Sequence, residues 1–187
     1  MQSAEDTDRF HVVTGGPGSG KTALINSLER LGYCRSLEAG RGVIQDQVSI
    51  GGHALPWDDQ VLFSELMLCW EMRSYRMAQN SSGPVFFDRG VVDVLGYLRL
   101  IGHEFPEHMR QAAKTFRYNH CVFIAPPWEE IFRNDRERKQ DYDEAVRTYD
   151  ALAAAYTACG YELIELPRAP IEERVRFVLQ HASAVGS

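Results

Sequence analysis

Eight consecutive residues, Gly15-Gly16-Pro17-Gly18-Ser19-Gly20-Lys21-Thr22, constrain this chain more than any others. They satisfy the spacing G-x-x-x-x-G-K-[ST], directly after an apolar run from Phe10 to Thr14 and directly before a helical pattern from Lys21 to Leu31. Glycines in such a loop let backbone N–H groups turn inward around phosphate oxygens, and the helix N-terminus adds the positive end of its dipole. A plain glycine turn between strand and helix needs neither the lysine nor the hydroxyl. The four constrained positions coincide by accident in about one chain of this length in a hundred, so the segment is read as a phosphate loop. The whole loop forms the nucleotide-binding set. Within it Lys21 is expected to reach the β- and γ-phosphates of ATP, and the Thr22 hydroxyl to ligate Mg²⁺.

Short apolar runs alternate with longer helical patterns over the rest of the chain. Strands are expected at Phe10 to Thr14, Tyr33 to Leu37, Val85 to Phe87, His120 to Ala125 and Tyr161 to Glu165. Helices are expected at Lys21 to Leu31, Asp58 to Gln79 (capped by Asp58 or Asp59), Val91 to Ile101, Glu107 to Phe116, from Trp128, Asp141 to Ala158, and Ile171 to His181. This order predicts an α/β fold with a mainly parallel sheet of about five strands flanked by helices, and the phosphate loop after the first strand makes it a P-loop NTPase fold.

The 187 residues suit one domain. The expected organisation is a disordered, polar segment over 1–9, a single nucleotide-binding domain over 10–184, and a lid segment near 128–141. A net charge of -6 gives no overall field to gather a polyanion, so no nucleic-acid partner is expected. No apolar run approaches membrane-spanning length, and a cytoplasmic protein is expected. Cys34, Cys69, Cys121 and Cys159 form no C-x-x-C pair and lie beside apolar residues, the pattern of buried free thiols. The histidines show no metal-ligand spacing.

Val85-Phe86-Phe87-Asp88 is an apolar run ending in a carboxylate, which puts Asp88 at the C-terminal edge of the sheet as a second Mg²⁺ ligand. The alternative is a helix-capping role at the turn. On the long helix and just before it, Trp57, Gln60, Phe63, Trp70, Arg73 and Tyr75 suit either a substrate pocket or the core. Arg133, Arg136, Arg138 and Lys139 form a basic cluster whose plainest reading is a solvated face paired with Asp135, Glu137 and Asp141.

The Asp88-Arg89 pair resembles the Asp-Arg motif of deoxynucleoside and thymidylate kinases. More broadly, Leu37-Glu38-Ala39-Gly40-Arg41, Leu55-Pro56-Trp57, Phe87-Asp88-Arg89-Gly90, Asp135-x-Glu137-Arg138 and Gly160-Tyr161-Glu162 occur in an order similar to that of a bacterial family of predicted AAA-type ATPases. That family looks related to nicotinamide riboside kinases, and the resemblance runs from about Phe10 to Leu179. It implies a compact kinase-like unit, because the chain is too short for the helical lid domain and second sensor of ring-forming ATPases. It implies roles too: Arg89 close to substrate and phosphates, Glu38 as a substrate-facing acid that takes a proton, and Arg133 and Arg138 in a lid. Glu38 also reads as a solvated loop carboxylate, and Arg41 as a substrate-phosphate ligand or as the neutraliser of Glu38.

Three functions remain: a kinase acting on a small, nucleoside-like acceptor, an NTPase using water, and a nucleotide-dependent binding switch. A GTP switch is disfavoured. No Asn-Lys-x-Asp motif is present, and the sole Asp-x-x-Gly match, Asp93 to Gly96, falls in a helical pattern. The set Lys21, Glu38, Asp88, Arg89, Arg133 and Arg138 points to phosphoryl transfer from ATP with Mg²⁺ to an unidentified small molecule.

Overall fold

Apolar residues on both faces of the predicted strands call for a sheet covered on both sides. The computed structural model, which describes residues 4–132 and 142–184, has that form. Its strands are β1 (Phe10–Gly15), β2 (Cys34–Arg35), β3 (Val85–Asp88), β4 (Cys121–Ala125) and β5 (Glu162–Glu165). They pair in parallel in the order β2-β3-β1-β4-β5. The helices are α1 (Ala4–Arg9), α2 (Lys21–Arg30), α3 (Ala39–Ile50), α4 (Gln60–Ala78), α5 (Val91–Leu100), α6 (Glu107–Thr115), α7 (Tyr142–Ala158) and α8 (Ile171–Ala184).

Strand periodicity of two sorts the core into two layers. Phe10, Val12, Val85, Phe87 and Val122 face one side, where α4, α5, α6 and α7 cover them. Val13, Phe86, Phe123 and Ala125 face the other, against Leu24, Ile25 and Leu28 of α2 and Val175 and Val178 of α8. A smaller cluster, Val43, Ile44, Leu55 and Phe63, joins α3 to α4. Consequently β1 leads into a helix on one face and its neighbour β3 into a helix on the other. Their loops diverge at the C-terminal edge and leave a crevice there, the place where open α/β sheets bind ligands. The register sets Val13 beside Asp88, so the end of β3 lies level with the start of the phosphate loop.

Several expectations are corrected. Residues 1–9 were expected to be disordered, but Ala4–Arg9 is helical. The Arg9 guanidinium anchors its end by donating to the carbonyls of Gln79, Ser81 and Gly83, and the Asn119 amide donates to the Asp8 carbonyl. The helix expected from Trp128 is a single 3₁₀ turn, Glu129–Ile131. The long helix starts at Gln60, with the Asp59 carboxylate accepting from the Leu62 N–H at 2.9 Å. Cys34 and Cys69 are exposed and Cys121 and Cys159 half-buried, all as free thiols. Cys34 lies on the short edge strand, and Cys69 follows the buried Leu68 around α4 onto the solvent side. No helix among the described residues is long and apolar enough to cross a membrane.

Candidate active site

The phosphate loop bends between β1 and α2 with Gly18 and Gly20 in left-handed conformations, which residues without a Cβ adopt at no steric cost. Gly16 faces a different demand: a Cβ there would lie 2.5 Å from the Ala145 carbonyl oxygen of α7. Lys21 is buried, and its ammonium donates to the Gly16 carbonyl at 2.6 Å and to Ser19 Oγ at 3.3 Å. The Ser19 hydroxyl in turn donates to the Gly16 carbonyl at 2.8 Å. The lysine is therefore folded into the cradle that phosphates occupy in such loops. Thr22 is exposed at the first turn of α2.

Across the crevice, Asp88 is 4% exposed, and its Oδ1 has no hydrogen-bond partner among the described residues. Burial, then the Glu38 charge, pushes its pKa up to about 6, against the pull of Lys21 and Arg89. It does not cap α5. That role falls to Asp93, whose carboxylate accepts the Gly90 N–H at 2.9 Å. The capping alternative for Asp88 is thus removed. A buried carboxylate oxygen without a partner at the end of β3, together with an exposed threonine hydroxyl on the loop, suits a hard divalent cation that takes its remaining ligands from phosphates and water. Among the described residues no group of three His, Cys, Asp or Glu could hold a metal ion, so no all-protein metal cage competes with this arrangement.

Arg89 joins the acids together. Its backbone is left-handed, φ 75°, a strain of about 1–2 kcal/mol for a residue with a Cβ. The side chain shows what sustains it: Nε donates to Glu38 Oε1 at 3.1 Å and Nη1 to Asp93 Oδ1 at 3.1 Å. Burial opposes the guanidinium charge, but Glu38, Asp93 and Asp88 outweigh it and raise the pKa. Arg41 lies 3.7 Å from the other oxygen of Glu38, so Glu38 is a nearly buried carboxylate between two arginines. Asp93 also accepts from the Thr14 hydroxyl at 2.6 Å and the Tyr156 hydroxyl at 2.6 Å. One carboxylate thereby ties β1, α5 and α7 to Arg89.

Beside these groups a cavity of about 930 Å³ opens between α3, α4, α5 and α7. Glu38, Arg89 and Asp93 are among its polar lining, and Trp57, Phe63 and Tyr97 are among its aromatic walls. Of the residues singled out for this role, Trp57, Gln60 and Phe63 line it. Trp70 and Arg73 face a different cavity, and Tyr75 is in the core, donating to the Arg117 carbonyl. Arg133 and Arg138, with the rest of the basic cluster, lie outside the described residues.

Sequence reasoning missed three residues here. Glu71, 1% exposed, lines the cavity with a buried carboxylate oxygen that has no partner among the described residues. Burial, then Asp93 and Asp88, raises its pKa well above the ordinary carboxylate value. Its signal was legible: Phe63, Met67, Glu71 and Tyr75 form one i, i+4 stripe in which a carboxylate interrupts apolar residues. Arg147 comes from α7 and has no comparable signal. Asp93 was noticed only as part of a rejected guanine motif.

The sequence matches a family described as AAA domain over residues 10–174. No curated protein matches it in sequence. Among solved structures it is similar to a deoxyadenosine kinase from M. mycoides with dCMP and dCDP bound, with TM-score 0.66, 11% identity, and coverage of 94% of this chain and 99% of that one. It is also similar to the NadR protein in complex with NR, with TM-score 0.69, 18% identity and coverage of 95% of this chain. This chain spans about half of NadR, 52% of its length. At such identities the likeness concerns the fold.

Proposed function

Because the chain belongs to the AAA domain family, matched over residues 10–174, we propose that it is an ATP- and Mg²⁺-dependent kinase of a small, nucleoside-like molecule. The observation that carries this reading is the cavity that Pro17 of the phosphate loop lines together with Glu38 and Arg89. A hydrolase needs room for one water there. A space of about 930 Å³ with apolar walls suits an organic acceptor. A deoxyadenosine kinase shares the fold, which makes nucleosides the first acceptors to try.

In this reading Lys21 leaves the Gly16 carbonyl and meets the β- and γ-phosphates, while the backbone N–H groups of residues 18–22 hold their oxygens. Thr22 and Asp88 would hold Mg²⁺, which supplies neutralisation of phosphate charge when bound. Glu38 accepts the proton of the acceptor hydroxyl as its oxygen bonds to the γ-phosphorus and the bond to the ADP oxygen breaks. Arg89 holds Glu38 in orientation through its Nε, and its guanidinium lies beside the charge that develops on the transferring group. Arg133 and Arg138 complete the site from the lid segment, and residues 10–184 act as one nucleotide-binding domain.

The test is ATP turnover by the purified protein against a panel of nucleosides, sugars and related alcohols. Negligible turnover alone, rising with one class of acceptor, is expected. Strong hydrolysis that no acceptor alters would favour the NTPase.

A further inference from the structure

Arg174, in the first turn of α8, lies on the far side of the phosphate loop from the cavity residues and has no part in the mechanism above. It is 3% exposed, and its Nη1 donates to the Ser19 carbonyl at 3.1 Å. A Cβ built on Gly20 would sit 2.7 Å from that nitrogen, so the guanidinium packs directly on the Gly20 backbone. Its Nε is buried without a hydrogen-bond partner, and among the described residues no carboxylate pairs with it. A buried arginine is ordinarily matched by an acid, since an unmatched charge inside a protein is costly. Burial lowers its pKa.

The geometry gives this charge a target. In a trans peptide the C=O and N–H point in opposite directions. With the Ser19 carbonyl held by Arg174, the N–H of Gly20 is turned away from the guanidinium. A charged donor on a carbonyl also polarises the amide and makes its N–H a stronger donor. We propose that Arg174 is a positioning residue for nucleotide phosphates: it sets and polarises the Ser19–Gly20 peptide and supplies the positive charge that a bound polyphosphate neutralises. This rests on the reading that the loop holds a nucleoside polyphosphate. Among the described residues no acid matches this charge, and a bound polyphosphate would supply the anion.

The test uses the full chain, the variants Arg174→Met, Arg174→Gln and Arg174→Lys, and three probes, ATP, ADP and adenosine, by calorimetric titration with thermal melts of each protein. Arg174→Met is expected to weaken ATP binding roughly 30-fold, ADP less, and adenosine not at all, while its ligand-free Tm stays level or rises. Arg174→Gln keeps a donor for the Ser19 carbonyl without the charge and is expected to behave like Arg174→Met. Arg174→Lys restores part of the ATP affinity. A fallen ligand-free Tm in Arg174→Met, with ATP affinity restored by Arg174→Gln, would make Arg174 a mere peg for the loop and overturn the proposal. Equal loss for ATP and adenosine would overturn it too. Wild-type protein that binds no ATP would bring down the underlying reading, and this inference with it.

Discussion

Asp93 is the residue whose replacement tests the site's architecture most severely. Its carboxylate takes four donors: the Thr14 and Tyr156 hydroxyls at 2.6 Å each, the Gly90 N–H at 2.9 Å and Arg89 Nη1 at 3.1 Å. In Asp93→Asn an NH₂ group replaces one oxygen, so two of those donors meet a donor, each left unmade at about 1–3 kcal/mol. The Arg89 charge keeps only Glu38 as a directly bonded acid, and a broken buried ion pair costs about 3–5 kcal/mol. Because Glu38 remains, the combined loss is set at about 4 kcal/mol. For a domain of this size that corresponds to a fall in Tm of about 8–16 °C. Urea unfolding and calorimetry measure it, with Thr14→Val and Tyr156→Phe as companions costing about 1–2 kcal/mol each. Tyr156→Phe should cost less in the Asp93→Asn background than in wild type, because its partner is already impaired. Stability of Asp93→Asn within about 1 kcal/mol of wild type, or full additivity with Tyr156→Phe, would refute the hub.

Arg89→Gly should be more stable than Arg89→Ala by about 1 kcal/mol, since both lose the ion pairs but only glycine relaxes at φ 75°. A more stable alanine variant in urea unfolding would show that no strain is held there. Asp88→Asn should weaken the Mg²⁺ dependence of ATP binding, as read by titration with metal and with chelator. An unchanged requirement would remove Asp88 from the metal site. His11, stacked on Phe86, has its pKa lowered to about 4 by burial, against a small opposing pull from Asp8. The unfolded chain therefore binds the extra proton between about pH 6.5 and 4, and the stability present above that window is lost as pH falls through it, by about 3 kcal/mol. His11→Phe should flatten this part of the urea midpoint profile. Parallel profiles would contradict it.

The phosphate loop and the parallel sheet were legible because their residue types follow from local chemistry and period alone. Phosphate binding demands glycines, a lysine and a hydroxyl at set spacing, and buried parallel strands read as apolar runs. Where tertiary context decides, the sequence was silent. α3 was not foreseen, since Gly40 and Gly42 lower its intrinsic helix preference, and packing of Val43 and Ile44 against Leu55 and Phe63 compensates. β2 is shorter than its apolar run because it pairs on one side only, with β3. Asp88, Glu38 and Arg89 converge as their positions after strands implied. Asp93 and Arg174 matter through partners 63 and 155 residues distant in the chain, Tyr156 and Ser19, and no local pattern announces such a pairing.

Transfer of the γ-phosphoryl group to an organic acceptor is decided by following γ-labelled ATP through a single turnover. With Mg²⁺ and a nucleoside acceptor, label is expected to pass from ATP to the acceptor hydroxyl. Omitting the acceptor or the metal should stop it, as should Lys21→Ala in a folded protein. Label appearing only as inorganic phosphate at a rate no acceptor changes, or transfer undiminished in Lys21→Ala, would contradict it.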